Sequence, residues 1–331
     1  MINQYSPEYE KETVILAQID LTTGSIPKTL LRFAFPMICG NLLQQLYNVA
    51  DTLIVGRFLG SDALGAVGSS YTLMTFLTSI LLGLCMGSGA LFSVCWGQRD
   101  LARLRRQTHA AFVLIAVCTV VLNAAAFLLL DAMKTLLSVP AEVWPLMRSY
   151  LFVIFLGIGG TFLYNYYASL LRAVGNSLVP LLFLAAAAVL NIALDLVFVL
   201  VCRWGVEGAA AATVLAQWLS GIGTAVYTLV RCPELRARRE ERRITGSMLR
   251  ELLSASVLTC LQQSVMNLGI LMVQGRINSF GPVIMAAFAA AVKIDSSRIS
   301  LTITSYLMVI KFSSSYIIYK FFIQINAIHF W

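Results

Sequence analysis

Charged residues are scarce in this sequence: Asp, Glu, Lys and Arg make up 12% of its 331 residues, whereas hydrophobic residues make up 59%. Soluble domains carry about 25% charged residues, so this chain lacks the polar side chains needed to cover a water-exposed surface. Its mean hydropathy is +0.80. These values exclude an ordinary soluble globule and predict a protein embedded in a lipid bilayer.

Motifs for enzymatic or metal chemistry are also missing. The seven cysteines form no CxxC pair, and most lie in apolar stretches, which is typical of small buried side chains rather than of a disulfide framework or zinc site. Neither histidine has a metal-ligand partner at useful spacing, and no GxxxxGK[ST] phosphate loop or GxSxG motif occurs. We therefore predict that the chain is not an enzyme, needs no cofactor, and depends on an ion gradient for any energy it uses.

What the chain does contain is a series of long apolar stretches. A transmembrane helix needs about 20 mostly apolar residues, and short segments with Gly, Pro or charge separate the stretches that meet this requirement. They lie near residues 31–55, 63–95, 108–130, 146–171, 178–201, 208–230, 252–275 and, least regularly, 282–305. The pattern predicts an all-α polytopic membrane protein.

The basic residues predict its orientation. Most Lys and Arg residues fall in segments on the same side of the membrane as the N-terminus, above all in 99–106 and 231–250. By the positive-inside rule, this places the N-terminus in the cytoplasm. The location that we expect is the inner membrane of a prokaryotic cell. The 231–250 run could bind nucleic acid or anionic lipid. We interpret it as a cytoplasmic linker that lies on the lipid headgroups, and we predict no nucleic-acid partner.

A short repeat indicates two related halves. Gln44-Gln45 precedes Gly56-Arg57, and Gln262-Gln263 precedes Gly275-Arg276 at nearly the same distance; repeats of this kind are common in transporters. The predicted organisation is a cytoplasmic N-terminal segment (1–28), a unit of six transmembrane helices (29–230), the basic linker (231–250), the start of a second unit (251–295) and an atypical tail (296–331). The tail has one alanine and no Gly or Pro, which we interpret as an altered or truncated reading frame.

Two acids lie within the predicted spans of the first half and are candidates for function, because ionisable residues are costly in a membrane. Asp51 and Asp195 each lie toward the outer end of a span that runs outward, and Thr213 lies near the outer start of the next span. Tyr47 and Asn191 precede the two acids by one helical turn and share their faces. We predict that these five residues share one depth, although the acids could instead be helix-end residues at the water interface.

Two carboxylates held close together in a low dielectric cannot both stay ionised easily, so such a pair can hold a proton. The same oxygens can coordinate Na⁺, which is the one metal ion we expect here. Other polar residues in the spans suit either interhelical hydrogen bonds or the lining of a substrate path, and both alternatives stay open. They are Gln44, Gln45, Asn48, Asn267 and Gln274.

Four stretches carry a resemblance to a known family. Residues 35–60, Asn191–Asp195, Gly208–Thr213 and Leu261–Ser264 resemble spans 1, 5, 6 and 7 of the multidrug and toxic compound extrusion (MATE) family, and the match extends over about residues 27–295. The family implies two six-helix lobes around a central cavity and antiport of H⁺ or Na⁺ against amphipathic, often cationic drugs. This chain would contain the N-lobe and the first one or two helices of the second lobe.

The DinF-like branch of the family binds its cation in the N-lobe, and its motif residues match Tyr47, Asp51, Asn191, Asp195 and Thr213. The NorM-like branch has an acid in span 7, and residues 252–274 contain none. The chain also departs from the family, because 251–281 lack the usual proline and spans 9–12 are absent. The resemblance therefore implies a DinF-like transporter that is truncated at its C-terminus.

The sequence thus predicts multidrug efflux by cation antiport, with small-molecule drugs or metabolites and the lipid bilayer as partners and a monomeric state at full length. One alternative is a flippase for lipids or lipid-linked oligosaccharides, which would need a more basic cavity. The other is an inactive, truncated membrane fragment.

Overall fold

A computed structural model describes residues 26–292, and every regular element in this part of the chain is a helix. The predicted all-α fold is confirmed. Nearly all of the predicted N-terminal segment 1–28 and the whole tail 296–331 lie outside the described residues.

The described helices follow one another with short connections. They are α1 (Ile26–Phe58), α2 (Ser61–Gly97), α3 (Leu101–Leu128), α4 (Leu130–Leu136), α5 (Trp144–Phe155), α6 (Ile158–Ala173), α7 (Leu178–Asp195), α8 (Gly205–Arg231), α9 (Gly246–Asn278) and α10 (Pro282–Val292). A π-helical segment, Leu196–Val201, continues α7 directly. Gly60, with φ near +89°, makes the tight turn between α1 and α2, a backbone conformation that favours glycine.

Five of these helices are long and apolar enough to cross a membrane: α2, α3, α7 with its π-helical segment, α8 and α9. A sixth span is formed by α5 and α6 together, which are bent by 47° at their junction. Helix α1 is equally long but less apolar, since it carries Asn41, Gln44, Gln45, Asn48 and Asp51. The apolar span predicted at 31–55 is therefore a helix with several polar residues rather than a uniformly apolar one, and of these residues Asn48 and Asp51 are buried.

Helix α2 lies at the centre of the bundle and packs most extensively against α9. Two glycines permit this close approach, because a Cβ atom at Gly83 or Gly87 would collide with the backbone of Cys260 or Ser256. Farther along α2, Gly68 faces Ala289 of α10 in the same way. The first helices of the predicted second unit are thus packed directly onto the first.

Helices α1 and α7 run in the same direction and are joined near their starts, where the Ser177 hydroxyl donates a 2.9 Å hydrogen bond to the carbonyl oxygen of Phe33. Helix α8 returns along α7 and also packs on α5 and α6. Outward-facing positions on the bundle are apolar: Val120, Leu128 and Leu258 are all largely exposed. This surface suits lipid rather than water and agrees with a multi-pass membrane protein.

The segment between α8 and α9 covers residues 232–245, which is shorter than the predicted linker 231–250 because α9 already begins at Gly246. It is tied to the start of α3. The Arg105 guanidinium binds both carboxylate oxygens of Glu241 at 2.8–3.0 Å, and Glu251 at the start of α9 pairs with Arg103 and accepts a 2.6 Å hydrogen bond from Gln107. We call this end of the bundle the linker side.

Candidate cation site

Two parallel helices bring the acids of the predicted site to one depth. The hydrogen bond between Ser177 and Phe33 fixes one level shared by α7 and α1. From that level, Asp51 follows Phe33 by 18 residues and Asp195 follows Ser177 by 18 residues. Because both helices rise by the same amount per residue, the two carboxylates arrive at the same level, far from the linker side. Asp51 is 7% exposed and Asp195 is fully buried.

The backbone changes form at Asp195. This residue is the last of α7, and the π-helical segment Leu196–Val201 follows it without a break. Short π-helical segments are rare and occur frequently at functional sites, where they redirect side chains and loosen the regular hydrogen-bond ladder. Sequence patterns gave no indication of this segment, since its residues (LVFVLV) suit an ordinary helix equally well.

Asn191 links α7 to α8. Its amide nitrogen Nδ2 donates to Thr213 Oγ1 at 3.3 Å, so the amide oxygen Oδ1 is turned away from Thr213. That oxygen and both carboxylate oxygens of Asp195 are buried and have no hydrogen-bond partner among the described residues. Buried polar atoms are nearly always satisfied, so these three oxygens mark a place where a cation or a proton would be stabilised.

The two acids interact electrostatically across the helices, with Asp51 acting on Asp195. Tyr47, one turn before Asp51, interacts with both carboxylates. The structure therefore brings together all five residues that the sequence predicted for one site, Thr213 through its bond to Asn191. The alternative of acids exposed at the water interface is not supported by their burial.

One residue of this cluster was missed by the sequence reasoning. Tyr150, on α5, is buried and interacts electrostatically with Asp51, Asp195 and Tyr47. The depth argument could have found it, because α5 begins the inward-running fourth span and Tyr150 lies a few residues after its start, as Thr213 does in α8. Tyr71 and Tyr164 add further phenol groups beside Tyr47.

The described residues contain no group of three His, Cys, Asp or Glu side chains that could hold a metal ion. A site with two carboxylates, one amide oxygen and nearby hydroxyls offers oxygen ligands only. Oxygen ligands suit hard cations such as Na⁺, and a buried carboxylate pair equally suits a single shared proton.

The residues proposed to line a substrate path lie in different surroundings. On α1, Gln44 is exposed, Gln45 is half-buried and Asn48 is buried. On α9, Asn267 is buried and donates to the carbonyl oxygen of Gln263 in its own helix at 2.8 Å. Their role in substrate binding stays a prediction.

Gln274 belongs to a buried polar network between α2 and α9. Its Nε2 donates to Ser69 Oγ at 3.0 Å and to Asn278 Oδ1 at 2.8 Å, and its Oε1 accepts from Thr72 at 3.1 Å. Ser69 also donates to Asn278 Oδ1 at 2.9 Å, and Asn278 Nδ2 donates to the carbonyl oxygen of Leu137 at 2.9 Å. Gln274 thus makes interhelical hydrogen bonds to Ser69 and Thr72, one of the two roles that the sequence left open, and its bond to Asn278 lies within α9.

Comparison with known proteins shows what the chain is similar to. The family model MatE matches residues 36–197, which include Tyr47, Asp51, Tyr150, Asn191 and Asp195. The chain is 31% identical over 283 residues to the "Probable multidrug resistance protein YpnP" of Bacillus subtilis (strain 168), a match that covers 84% of this chain and 62% of that protein.

Solved structures with the same fold include two transporters of the MOP superfamily. One is described as the inward-facing conformation of a multidrug resistance MATE family transporter. It has a TM-score of 0.70 and 22% sequence identity, and the match covers 82% of this chain and 64% of that one. The other, from Pyrococcus furiosus Vc1 (DSM3638), has a TM-score of 0.71, 21% identity, and coverage of 90% of this chain and 73% of that one. Its binding pocket is described as having reverse polarity. The chain spans about 60% of the length of the curated relatives it matches.

Proposed function

We propose that this chain, which belongs to the multidrug and toxic compound extrusion (MatE) family of transporters, exports amphipathic, often cationic compounds in exchange for H⁺ or Na⁺. The family and its curated relatives support multidrug efflux in general terms. The cation exchange and its site rest on the cluster around Asp51 and Asp195.

The observation that carries the proposal is the state of the Asp195 carboxylate. It is fully buried, both oxygens lack a hydrogen-bond partner among the described residues, and a second acid, Asp51, interacts with it. A buried negative charge of this kind is costly unless a cation neutralises it. Binding of H⁺ or Na⁺ therefore stabilises the arrangement in which α1 and α7 lie together, and release of the cation weakens it.

The link from cation to substrate runs through helices that meet at this cluster. Asn191 on α7 and Thr213 on α8 are joined by a hydrogen bond, and Tyr150 connects the cluster to the bent α5–α6 span. The π-helical segment after Asp195 provides a section of α7 that can change its hydrogen bonding at low cost. In our proposal, cation binding repacks α1, α7 and α8 and expels the substrate from a cavity beside them.

We further propose that the mechanism is that of the DinF-like branch, since α9 has no acid between Leu252 and Gln274 that could form a second cation site. The protein would lie in the prokaryotic inner membrane with its N-terminus and linker side in the cytoplasm, as the basic residues of 231–250 favour. It would act as a monomer at full length.

The test is dye export from proteoliposomes containing the purified chain, with either a proton gradient or a Na⁺ gradient imposed. Asp195→Asn keeps the volume of the side chain but removes the charge that binds the cation, and we expect it to reduce gradient-driven export at least tenfold. A matched control is Asp131→Asn, because Asp131 is 74% exposed and its ion pair with Arg148 is on the surface. The gradient that drives export identifies the coupling ion.

Equal export by Asp195→Asn and the parent chain would show that the cluster does not couple the cation to transport. If the parent chain itself shows no export under either gradient, the alternative of an inactive membrane fragment is favoured. A chain that moves fluorescent lipid but no dye would favour the flippase.

A further inference from the structure

A second place in the molecule has the chemistry of a binding site and is remote from the acid cluster. A cavity of about 540 Å³ lies on the linker side, between the start of α3 and the segment that joins α8 to α9. Five arginines and a single acid, Glu234, contribute to its lining. The arginines are Arg105, Arg236, Arg238, Arg239 and Arg242.

The positive charge of this cavity is largely uncompensated. Arg105 is neutralised by Glu241, which also accepts a 2.9 Å hydrogen bond from the backbone N–H of Arg238. The other four arginines form no ion pair with any carboxylate in the described part of the chain. Arginine side chains that outnumber the acids around one cavity form a preferred site for phosphate, because the guanidinium fork matches phosphate oxygens.

The walls of the cavity are held in place rather than loose. Two short 3₁₀ helices, Pro233–Leu235 and Arg239–Arg242, shape the linker segment, and Leu235 packs into the core. The bidentate contact between Arg105 and Glu241 fastens the second of these turns to α3. The site is therefore partly preorganised before a ligand arrives.

The position of the cavity favours a lipid over a soluble anion. It lies where α3 begins and α8 ends, so it is at the level of the headgroups when these helices cross the bilayer. An apolar groove of about 500 Å³ also runs along α7 and α8 and ends at Arg231, two residues before the linker turn begins. Such a groove suits an acyl chain whose headgroup reaches the same basic end of α8.

We propose that the linker cavity binds the phosphate of an anionic phospholipid in the leaflet on the linker side, which the orientation proposed above makes cytoplasmic. The bound lipid fastens the linker to α3, and with it the junction between the six-helix unit and α9. This inference does not depend on the export activity or on the coupling ion.

The experiment measures lipid binding to the purified full chain in neutral detergent by native mass spectrometry. Short-chain phosphatidylglycerol is titrated against short-chain phosphatidylcholine, and inorganic phosphate is added in a separate arm. We expect phosphatidylglycerol to bind selectively, and Arg239→Gln/Arg242→Gln to weaken its binding about tenfold or more. Millimolar inorganic phosphate should displace little of it, because free phosphate lacks the acyl chains.

A matched control is Arg243→Gln/Arg250→Gln, which removes the same charge from exposed linker-side positions that do not line the cavity. Equal weakening by both double variants would show diffuse attraction to the basic segment and would overturn the site. Displacement by inorganic phosphate, or equal binding of phosphatidylcholine, would overturn the lipid assignment. Should the first variant fail to fold, Arg236→Gln/Arg238→Gln tests the same cavity from the other side.

Discussion

The polar network between α2 and α9 makes a sharp prediction about stability. Asn278 is fully buried and takes part in three hydrogen bonds, with Ser69, Gln274 and the carbonyl oxygen of Leu137. Asn278→Leu removes all three and leaves the Leu137 carbonyl without this partner. At about 0.6 kcal/mol for an average hydrogen bond in a membrane protein, the expected loss is about 2 kcal/mol.

The same substitution at Asn267 is the matched control. Asn267 lies on the same helix and is also buried, but its amide bonds to a carbonyl of its own helix, where the loss is expected to be about 0.6 kcal/mol. The assay is unfolding in mixed micelles with increasing sodium dodecyl sulfate, followed by circular dichroism. Equal unfolding midpoints for the two variants would refute the conclusion that this network holds α9 to α2.

Two further predictions concern the packing of α9 and the linker. Gly83→Ala should lower the unfolding free energy by about 1–3 kcal/mol, since the added Cβ collides with the backbone of Cys260. Gly269→Ala is the control, because its added Cβ contacts no neighbouring atom and should not lower the unfolding free energy. The same unfolding assay compares the two variants. Arg105 lowers the pKa of Glu241 through its hydrogen bonds. The contact therefore stabilises the linker fully at pH values above the ordinary pKa of a glutamate, and this stabilisation is lost as the pH falls through the lowered pKa. The protection factors of linker amides, which are exchange rates corrected for the intrinsic pH dependence of amide exchange, should therefore be high at neutral pH and fall in acid. Glu241→Gln should remove that pH dependence and give fast tryptic cleavage at neutral pH.

The approximate positions of the helices could be predicted because the apolar stretches are long and the connections carry Gly, Pro or charge. The ends of the helices were less predictable. Residues 246–250 were assigned to the linker because Arg250 is the last of its run of basic residues, yet they form the first turn of α9, which the ion pair between Glu251 and Arg103 anchors to α3. The bend between α5 and α6 at Gly157 was not predicted, since apolarity runs through it unchanged.

The candidate site could be predicted to the extent that depth in a membrane follows from topology. Asp51, Asp195 and Thr213 share one depth because α1 and α7 run in the same direction and α8 returns, and the order of the spans implies this. That the three helices are neighbours follows only from the structure. Tyr150 was missed because the depth argument was not applied to the start of α5; its electrostatic contacts with Asp51, Asp195 and Tyr47 make it part of the site.

The sequence by itself determined that the chain is helical and membrane-embedded and that two acids lie at one depth, because hydropathy and the alternation of spans are properties of residue order. Only the tertiary structure decided which polar groups meet and which stay unsatisfied. Gln274 faces Ser69 and Thr72 across a close helix contact, while both oxygens of Asp195 lack a hydrogen-bond partner in the described part of the chain. The reason is physical: hydrogen bonds depend on the rotation and spacing of packed helices to within a fraction of an ångström, and residue order alone does not fix either quantity.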